Sequence, residues 1–195
     1  MIKSFDFYFD FISPYSFLAH QEIKKIEKKE NIKIKYKPIL LGGLHNLHGI
    51  KAPAFIPSKA KFMIRDCKLV AEKYKTKFKF NSYFPIKTLN LMRGVIIAEE
   101  DDFQSFYVDK IFDAIWKDGL NMNDQNIVDK VIKNIDVNPK TFFLRSSSQS
   151  IKTLLKKKTD DAFDKGVFGA PTFLINNKIF WGQDRLEFAL IEAKK

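Results

Sequence analysis

The sequence predicts an α/β fold interrupted by a large all-helical insertion, and three observations carry that expectation. An aromatic run from Phe5 to Phe11 leads through Ser13-Pro14 into an amphipathic stretch and then into the alternating segment Ile32 to Pro38. Roughly a hundred residues with helical spacing follow. Two short apolar runs around Asn176-Asn177 and one last helical stretch close the chain.

Residues 4 to 12 combine aromatic density with acids at an even interval, Asp6 and Asp10, the pattern of a central strand whose ends meet solvent. Ser13 suits a helix N-cap and Pro14 the first helical turn, where a missing N–H costs nothing. Phe17, Leu18, Ile23 and Ile26 give that helix a buried stripe, Lys24, Lys25, Lys28 and Lys29 face water, and its end is predicted near Asn31. Ile32-Lys33-Ile34-Lys35-Tyr36-Lys37-Pro38 alternates apolar and basic residues and stops at proline, which reads as a strand with one solvated face. Strand, helix and strand make a parallel crossover unit. Leu40-Leu41-Gly42-Gly43 then opens a segment punctuated by Gly49, Pro53 and Pro57, predicted to be an irregular loop.

Helical signals run from Ser58 to Tyr74, Pro85 to Glu99, Asp101 to Lys117, Asp124 to Ile135 and Pro139 through Lys165. Ser58 and Asn138 suit N-caps, and Gly119 and Gly166 suit helix stops. The predicted organisation is a domain built from 1–57 and 166–195, interrupted by a helical insertion over 58–165. Asn176-Asn177 tolerates the positive φ values of a tight hairpin, and a helix spans the region from Gln183 to Lys194. A βαβ unit, a helical insert and a ββα unit are the connectivity of a thioredoxin-like fold with a large all-helical insertion.

At 195 residues, with 45% hydrophobic side chains and 20 Phe, the chain supplies one sizeable core. No run of about 18 apolar residues predicts a membrane span. Asp6 and Asp10 near the start are unlike a signal peptide, and the lone Cys67 cannot build a disulfide framework, so a cytoplasmic protein is predicted. The net charge of +11 raises the question of nucleic acid. Its distribution argues otherwise: the arginines are Arg65, Arg93, Arg145 and Arg185, while the excess is lysine scattered among acids, as where Asp160 and Asp161 answer Lys156-Lys157-Lys158.

Ser13 and Ser16 stand at the C-x-x-C interval, after a strand and at a helix N-terminus. Thioredoxin-like oxidoreductases display a thiolate there, because the helix end offers unpaired N–H groups and a positive partial charge. Here the position is kept without the sulfur, so an anion held at that end would come from a ligand, and a thiol cofactor such as glutathione is the natural candidate. Ser-Pro is equally a common way to start a helix. Ala170-Pro171-Thr172 precedes a strand; a cis bond there would present the Ala170 backbone to a peptide-like ligand, whereas a proline that merely starts an edge strand would not. Asp184 falls in the first turn of the last helix, where a carboxylate is stabilised and could grip an ammonium group, or simply cap. His45-x-x-His48 lacks a third ligand and predicts no metal site. Cys67 reads as a buried thiol, and Phe103, Phe106, Tyr107 and Phe112 read as core.

Tyr8 to Ala19 (YFDFISPYSFLA), Gly166 to Phe173 (GVFGAPTF) and Phe180 to Leu186 (FWGQDRL) together resemble the 2-hydroxychromene-2-carboxylate isomerases, relatives of kappa-class glutathione transferases and of DsbA. That resemblance implies bound glutathione, a homodimer, and a small aromatic or conjugated carboxylic acid as substrate. It matches the family's catalytic serine to Ser13, with Pro14 and Tyr15 completing the glutathione-facing turn. It matches the cis-proline to Pro171 after Ala170, the glutathione-contacting pair to Gln183 and Asp184, and a carboxylate-binding lysine to Lys59. Where relatives often carry Gly-Asn before the Pro-rich loop, this chain reads Gly49-Ile50. The implied activity is a glutathione-dependent isomerisation. The alternatives are a kappa-class-like glutathione transferase and a redox-inactive peptide-binding module, since neither serine can form a mixed disulfide.

Overall fold

A computed structural model describes residues 3–30 and 32–195. Its strands are β1 (Lys3–Phe9), β2 (Ile32–Pro38), β3 (Thr172–Ile175) and β4 (Lys178–Trp181). Its helices are α1 (Pro14–Lys29), α2 (Leu41–Leu47), α3 (Pro57–Lys73), α4 (Leu89–Glu100), α5 (Gln104–Trp116), α6 (Gln125–Lys133), α7 (Pro139–Ser146), α8 (Gln149–Asp164) and α9 (Leu186–Lys194). The sheet order is β2-β1-β3-β4, with β1 parallel to β2 and antiparallel to β3, and β3 antiparallel to β4. This is the thioredoxin-like α/β arrangement, with α3 to α8 inserted between the βαβ and ββα parts.

β1 is central, pairing with β2 on one side and β3 on the other, and it buries side chains on both faces. Phe5, Phe7 and Phe9 belong to the main core, whereas Tyr8 joins Ile39, Leu44, Ala162 and Val167 on the opposite face. The Phe7 ring stacks on Phe9 at 5.3 Å and on Phe173 at 5.6 Å. Phe9 and Phe11 then meet Phe112 of α5 at 5.6 and 4.8 Å. Each such ring withdrawn from water contributes about 1.5–3 kcal/mol, so one aromatic column ties the sheet to the insertion. Polar contacts reinforce the join at Phe11: its carbonyl accepts the Trp116 Nε1–H at 2.8 Å, and its N–H meets the Met92 sulfur at 3.4 Å.

Several elements differ from the sequence expectation for physical reasons. β1 ends at Phe9, and residues 10–13 form a turn in which Asp10 is 1% exposed instead of meeting solvent. The segment predicted as a loop contains α2 and a short 3-10 turn, Pro53–Phe55. Gly42-Gly43 hid that helix, and Leu40 at its N-cap makes no side-chain cap bond; the Leu41 N–H is met from outside, by Asp10 Oδ2 at 2.9 Å. Ser58 is not a cap, because α3 starts at Pro57 with Ile56 before it. The predicted helix from Pro85 begins only at Leu89, after a stretch held by Asn81, whose Nδ2 reaches the carbonyls of Ile115 and Leu120 at 2.9 Å each. The long helix predicted from Pro139 is two, since Ser148 caps a new helix through the Ile151 N–H. Phe106 is 48% exposed beneath the Lys110 ammonium and not core. The predicted end of α1 near Asn31 lies outside the described residues; α1 is followed by a C-cap at Glu30.

Candidate active site

The turn between β1 and α1 is built by its own polar groups. Ser13 is the N-cap of α1, with φ −86° and ψ 113°, and its oxygen accepts the Ser16 N–H at 3.1 Å. Its carbonyl accepts the Phe17 N–H at 3.2 Å, and its N–H donates to the Asp10 carbonyl at 3.0 Å. Pro14 brings no N–H, so Tyr15 supplies the remaining donor of the first turn. Ser13 is 5% exposed, and the Ser16 hydroxyl, fully buried, has no hydrogen-bond partner among the described residues. A buried hydroxyl without a partner costs about 1–3 kcal/mol, a cost the fold carries at the second position of the C-x-x-C interval.

The second chain segment at the site comes from across the sheet. The Ser13 hydroxyl donates to the Ala170 carbonyl at 3.0 Å, and the Ala170–Pro171 peptide is cis. The Pro171 carbonyl then accepts the Gly182 N–H at 2.9 Å, which fixes the start of the 3-10 turn Gln183–Arg185. Gly182 has φ +112°, a region where side chains are strained, and a Cβ there would lie 2.6 Å from Asp184 Oδ1. A chain of contacts therefore runs from Ser13 through Ala170 and Pro171 to the Gln183-Asp184 pair. Asp184 itself lies exposed and pairs with Arg185 at 3.1 Å.

One face of α3 forms the third wall. The Tyr15 hydroxyl donates to Asp66 at 2.8 Å, and the Tyr74 hydroxyl reaches the Gln183 carbonyl at 3.5 Å. Burial, then the adjoining Cys67 and Asp66, push the Tyr15 phenol well above its ordinary range, so it stays neutral. Burial, aided by Asp66, pushes the Cys67 thiol up to about 12, leaving it protonated and unreactive. Lys59 lies exposed in the first turn of α3, on the face shared with Met63 and Asp66 and about 10 Å along the axis from Asp66. The structure thus brings Ser13, Pro14, Tyr15, Ala170 and Pro171 together, with Gln183 joined through Gly182 and Tyr74. Lys59 and Asp184 stand exposed at the margins.

A family model, the DSBA-like thioredoxin domain, matches residues 4–191. The 2-hydroxychromene-2-carboxylate isomerase of Sphingobium xenophagum is 31% identical over 192 residues, covering 96% of both chains. This chain belongs to that isomerase family, within the DSBA-like thioredoxin domains. Its relatives extend further: glutathione S-transferase kappa 1 of Caenorhabditis elegans is 26% identical, over 92% of this chain and 86% of that one. A solved structure of a 2-hydroxychromene-2-carboxylate isomerase superposes with a TM-score of 0.88 at 25% identity, covering 98% of this chain and 94% of that one.

Several residues that build this candidate site carry no signal in the sequence. Asp66 and Tyr74 lie more than fifty residues from Ser13, and nothing in their local pattern marks them apart from other helix residues. Asp10 stands out in sequence only as a strand-end acid, although it is buried and fully hydrogen-bonded. The histidines at 45 and 48 lie on or just after α2, where the His48 ring rests 4.4 Å from Phe163 and its Nε2 meets the Val167 carbonyl at 2.9 Å. Among the described residues no helix is long and apolar enough to cross a membrane.

Proposed function

We propose that the protein is a glutathione-dependent isomerase acting on a small aromatic or otherwise conjugated carboxylic acid, with Ser13 as the residue that meets the cofactor sulfur. One observation carries this reading. At the N-terminus of α1 a serine hydroxyl donates to the Ala170 carbonyl, beside a fully buried Ser16 hydroxyl with no partner among the described residues. That donor set suits an anionic sulfur: the Ser13 O–H, the Tyr15 N–H and the positive end of α1 converge there.

Glutathione, when bound, would supply a nucleophilic thiolate for reversible addition to a conjugated carbonyl acid. The chain's own groups do the rest. Ser13 releases the Ala170 carbonyl and turns its proton toward sulfur, which favours the thiolate at neutral pH. The freed Ala170 carbonyl becomes an acceptor for a peptide N–H of the cofactor. Gln183 and Asp184 are assigned to its amino-terminal end and Lys59 to a carboxylate. The half-buried, neutral Tyr15, braced by Asp66, walls the turn and shields it from water. In this reading the parts 1–57 and 166–195 hold the cofactor and the insertion 58–165 borders the acid substrate. A homodimer and a reducing, cytoplasmic setting go with it, the latter in keeping with the single thiol Cys67.

Titration with glutathione tests the reading directly: saturable binding is expected, weakened by Ser13→Ala, and no binding at millimolar concentration sinks it. The kappa-class relatives favour a second reading, transfer of glutathione to an electrophile. Product analysis separates the two, because an isomerase returns free glutathione and a transferase leaves a stable thioether. Sedimentation at several concentrations tests the dimer, for which Phe62 and Leu69, both more than half exposed and seven residues apart on α3, offer an apolar face.

A further inference from the structure

Asp10 lies directly beneath the Ser13 turn, and the chemistry proposed for that turn leaves its carboxylate unused. The side chain is 1% exposed, yet three donors from three parts of the chain converge on its two oxygens. Oδ1 accepts the Ile12 N–H at 3.1 Å and the Thr88 hydroxyl at 2.7 Å, and Oδ2 accepts the Leu41 N–H at 2.9 Å. Its backbone carbonyl takes the Ser13 N–H. All four donors are neutral. Burying a carboxylate without a counter-ion is costly, and only a full set of hydrogen bonds offsets that cost.

The neighbouring helices show how specific the arrangement is. Thr88 stands at the N-cap of α4, where a threonine ordinarily caps its own helix, but it makes no such bond and its hydroxyl goes to Asp10 instead. Leu40, at the N-cap of α2, has no capping side chain, and Asp10 meets the first N–H of that helix. Two helix starts have thus given up local caps to a single carboxylate on the serine turn. An amide could not substitute: asparagine has one oxygen, so its NH2 would confront the Leu41 N–H as donor against donor.

We propose that Asp10 is a positioning residue for the Ser13 turn, its carboxylate locking that turn to the starts of α2 and α4 so that the Ser13 hydroxyl is held ready to meet a ligand sulfur. The last clause rests on the glutathione reading above; the locking itself does not. Asp10 touches neither cofactor nor substrate and acts through Ser13.

Two variants, Asp10→Asn and Thr88→Val, test it with two readouts on the full chain. The first needs no ligand: amide hydrogen exchange at Ile12 and Ser13 is expected to accelerate at least about tenfold in Asp10→Asn and about threefold in Thr88→Val, with the core strands unchanged. The second is glutathione affinity, expected to fall about tenfold and about threefold respectively, but by less than about twofold when either change is made in the Ser13→Ala background. Unchanged exchange at Ile12 and Ser13 in both variants overturns the proposal, as does an affinity loss that is the same with and without the Ser13 hydroxyl. Should Asp10→Asn fail to fold, the isosteric Thr88→Val decides the matter alone. If the unmodified protein binds no glutathione, the functional reading falls and the exchange result alone decides the role of Asp10.

Discussion

The Ser13 turn and the Gln183–Arg185 turn lie at two ends of one chain of contacts, yet they are built differently. Around Ser13 the side chains of Asp10, Ser13 and Ser16 are buried, and partners come from α2, α4, α5 and the strand start at Ala170. The Gln183 turn is mostly exposed and is tied down by the Gly182 N–H and by the Tyr74 hydroxyl at 3.5 Å. A low-dielectric, pre-organised turn suits the placement of charge on one atom, because its donors need not reorganise as charge develops. An exposed turn suits the grip of a flexible, hydrated ligand end, where each charge contact is weak and screened.

The largest break in that comparison comes at Ser13. Ser13→Ala removes one preorganised donor to a developing anion, and losses of about 10²–10³-fold in turnover accompany such deletions. The expected outcome is a fall of that order in isomerase rate, with circular dichroism unchanged; a loss below about fivefold would mean that the α1 N–H groups suffice alone. Next comes Gly182, the hinge between the two regions. Gly182→Ala puts a Cβ at φ +112°, 2.6 Å from Asp184 Oδ1, and backbone strain of about 1–3 kcal/mol follows. Urea denaturation should register that loss, and glutathione affinity should drop with it because the turn must shift.

Asp184→Asn is a smaller perturbation. The carboxylate is 58% exposed and already faces Arg185, so the change should raise the glutathione KM about threefold with kcat intact. Added salt should erase most of the difference between variant and parent. A kcat effect as large as that of Ser13→Ala would break the division of labour between the turns.

How legible the two regions are in sequence follows the same division. Ser13-Pro14, Asn138-Pro139 and Asn176-Asn177 act through local bonds, so their caps and turn can be read directly from adjacent residues, as can the alternation of β2. Asp10, Thr88 and Leu41 act across separations of 31 and 78 residues, and no local pattern encodes such a partnership. α2 is hidden for that reason: its cap is a tertiary one. The Asp66 brace on Tyr15 is equally hidden, whereas Lys59, seven residues earlier, is singled out by the family resemblance and not by any local pattern. Residues whose partners are sequence neighbours are legible; residues whose partners arrive by folding are not.

The smallest expected effect concerns how far the buried character of the Ser13 side extends along α1. His20, two turns beyond Ser13, is fully buried, with its Nδ1 3.3 Å from the Tyr36 hydroxyl and its Nε2 3.4 Å from Asp109. Burial holds the imidazole below its ordinary value of 6.5, against the opposing pull of Asp109. Burial also pushes Asp109 upward, but His20 and Lys24 outweigh it and hold that carboxylate below its ordinary range. Both depressions have the same sign. Between the folded and unfolded values the unfolded chain binds more protons, so stability is full above about pH 6.5 and declines as the pH falls below it, first through His20 and then, under ordinary carboxylate values, through Asp109. Thermal unfolding across pH 8 to 5 should show the midpoint falling only in the lower part of that range, and His20→Phe should flatten it. Because His20 rests on the same helix that presents Ser13, mild acid should also lower amide-exchange protection, corrected for the intrinsic pH dependence of exchange, along α1 before it does so in the hairpin of β3 and β4; an equal loss of protection in both would show that the two ends of the contact chain loosen as one unit.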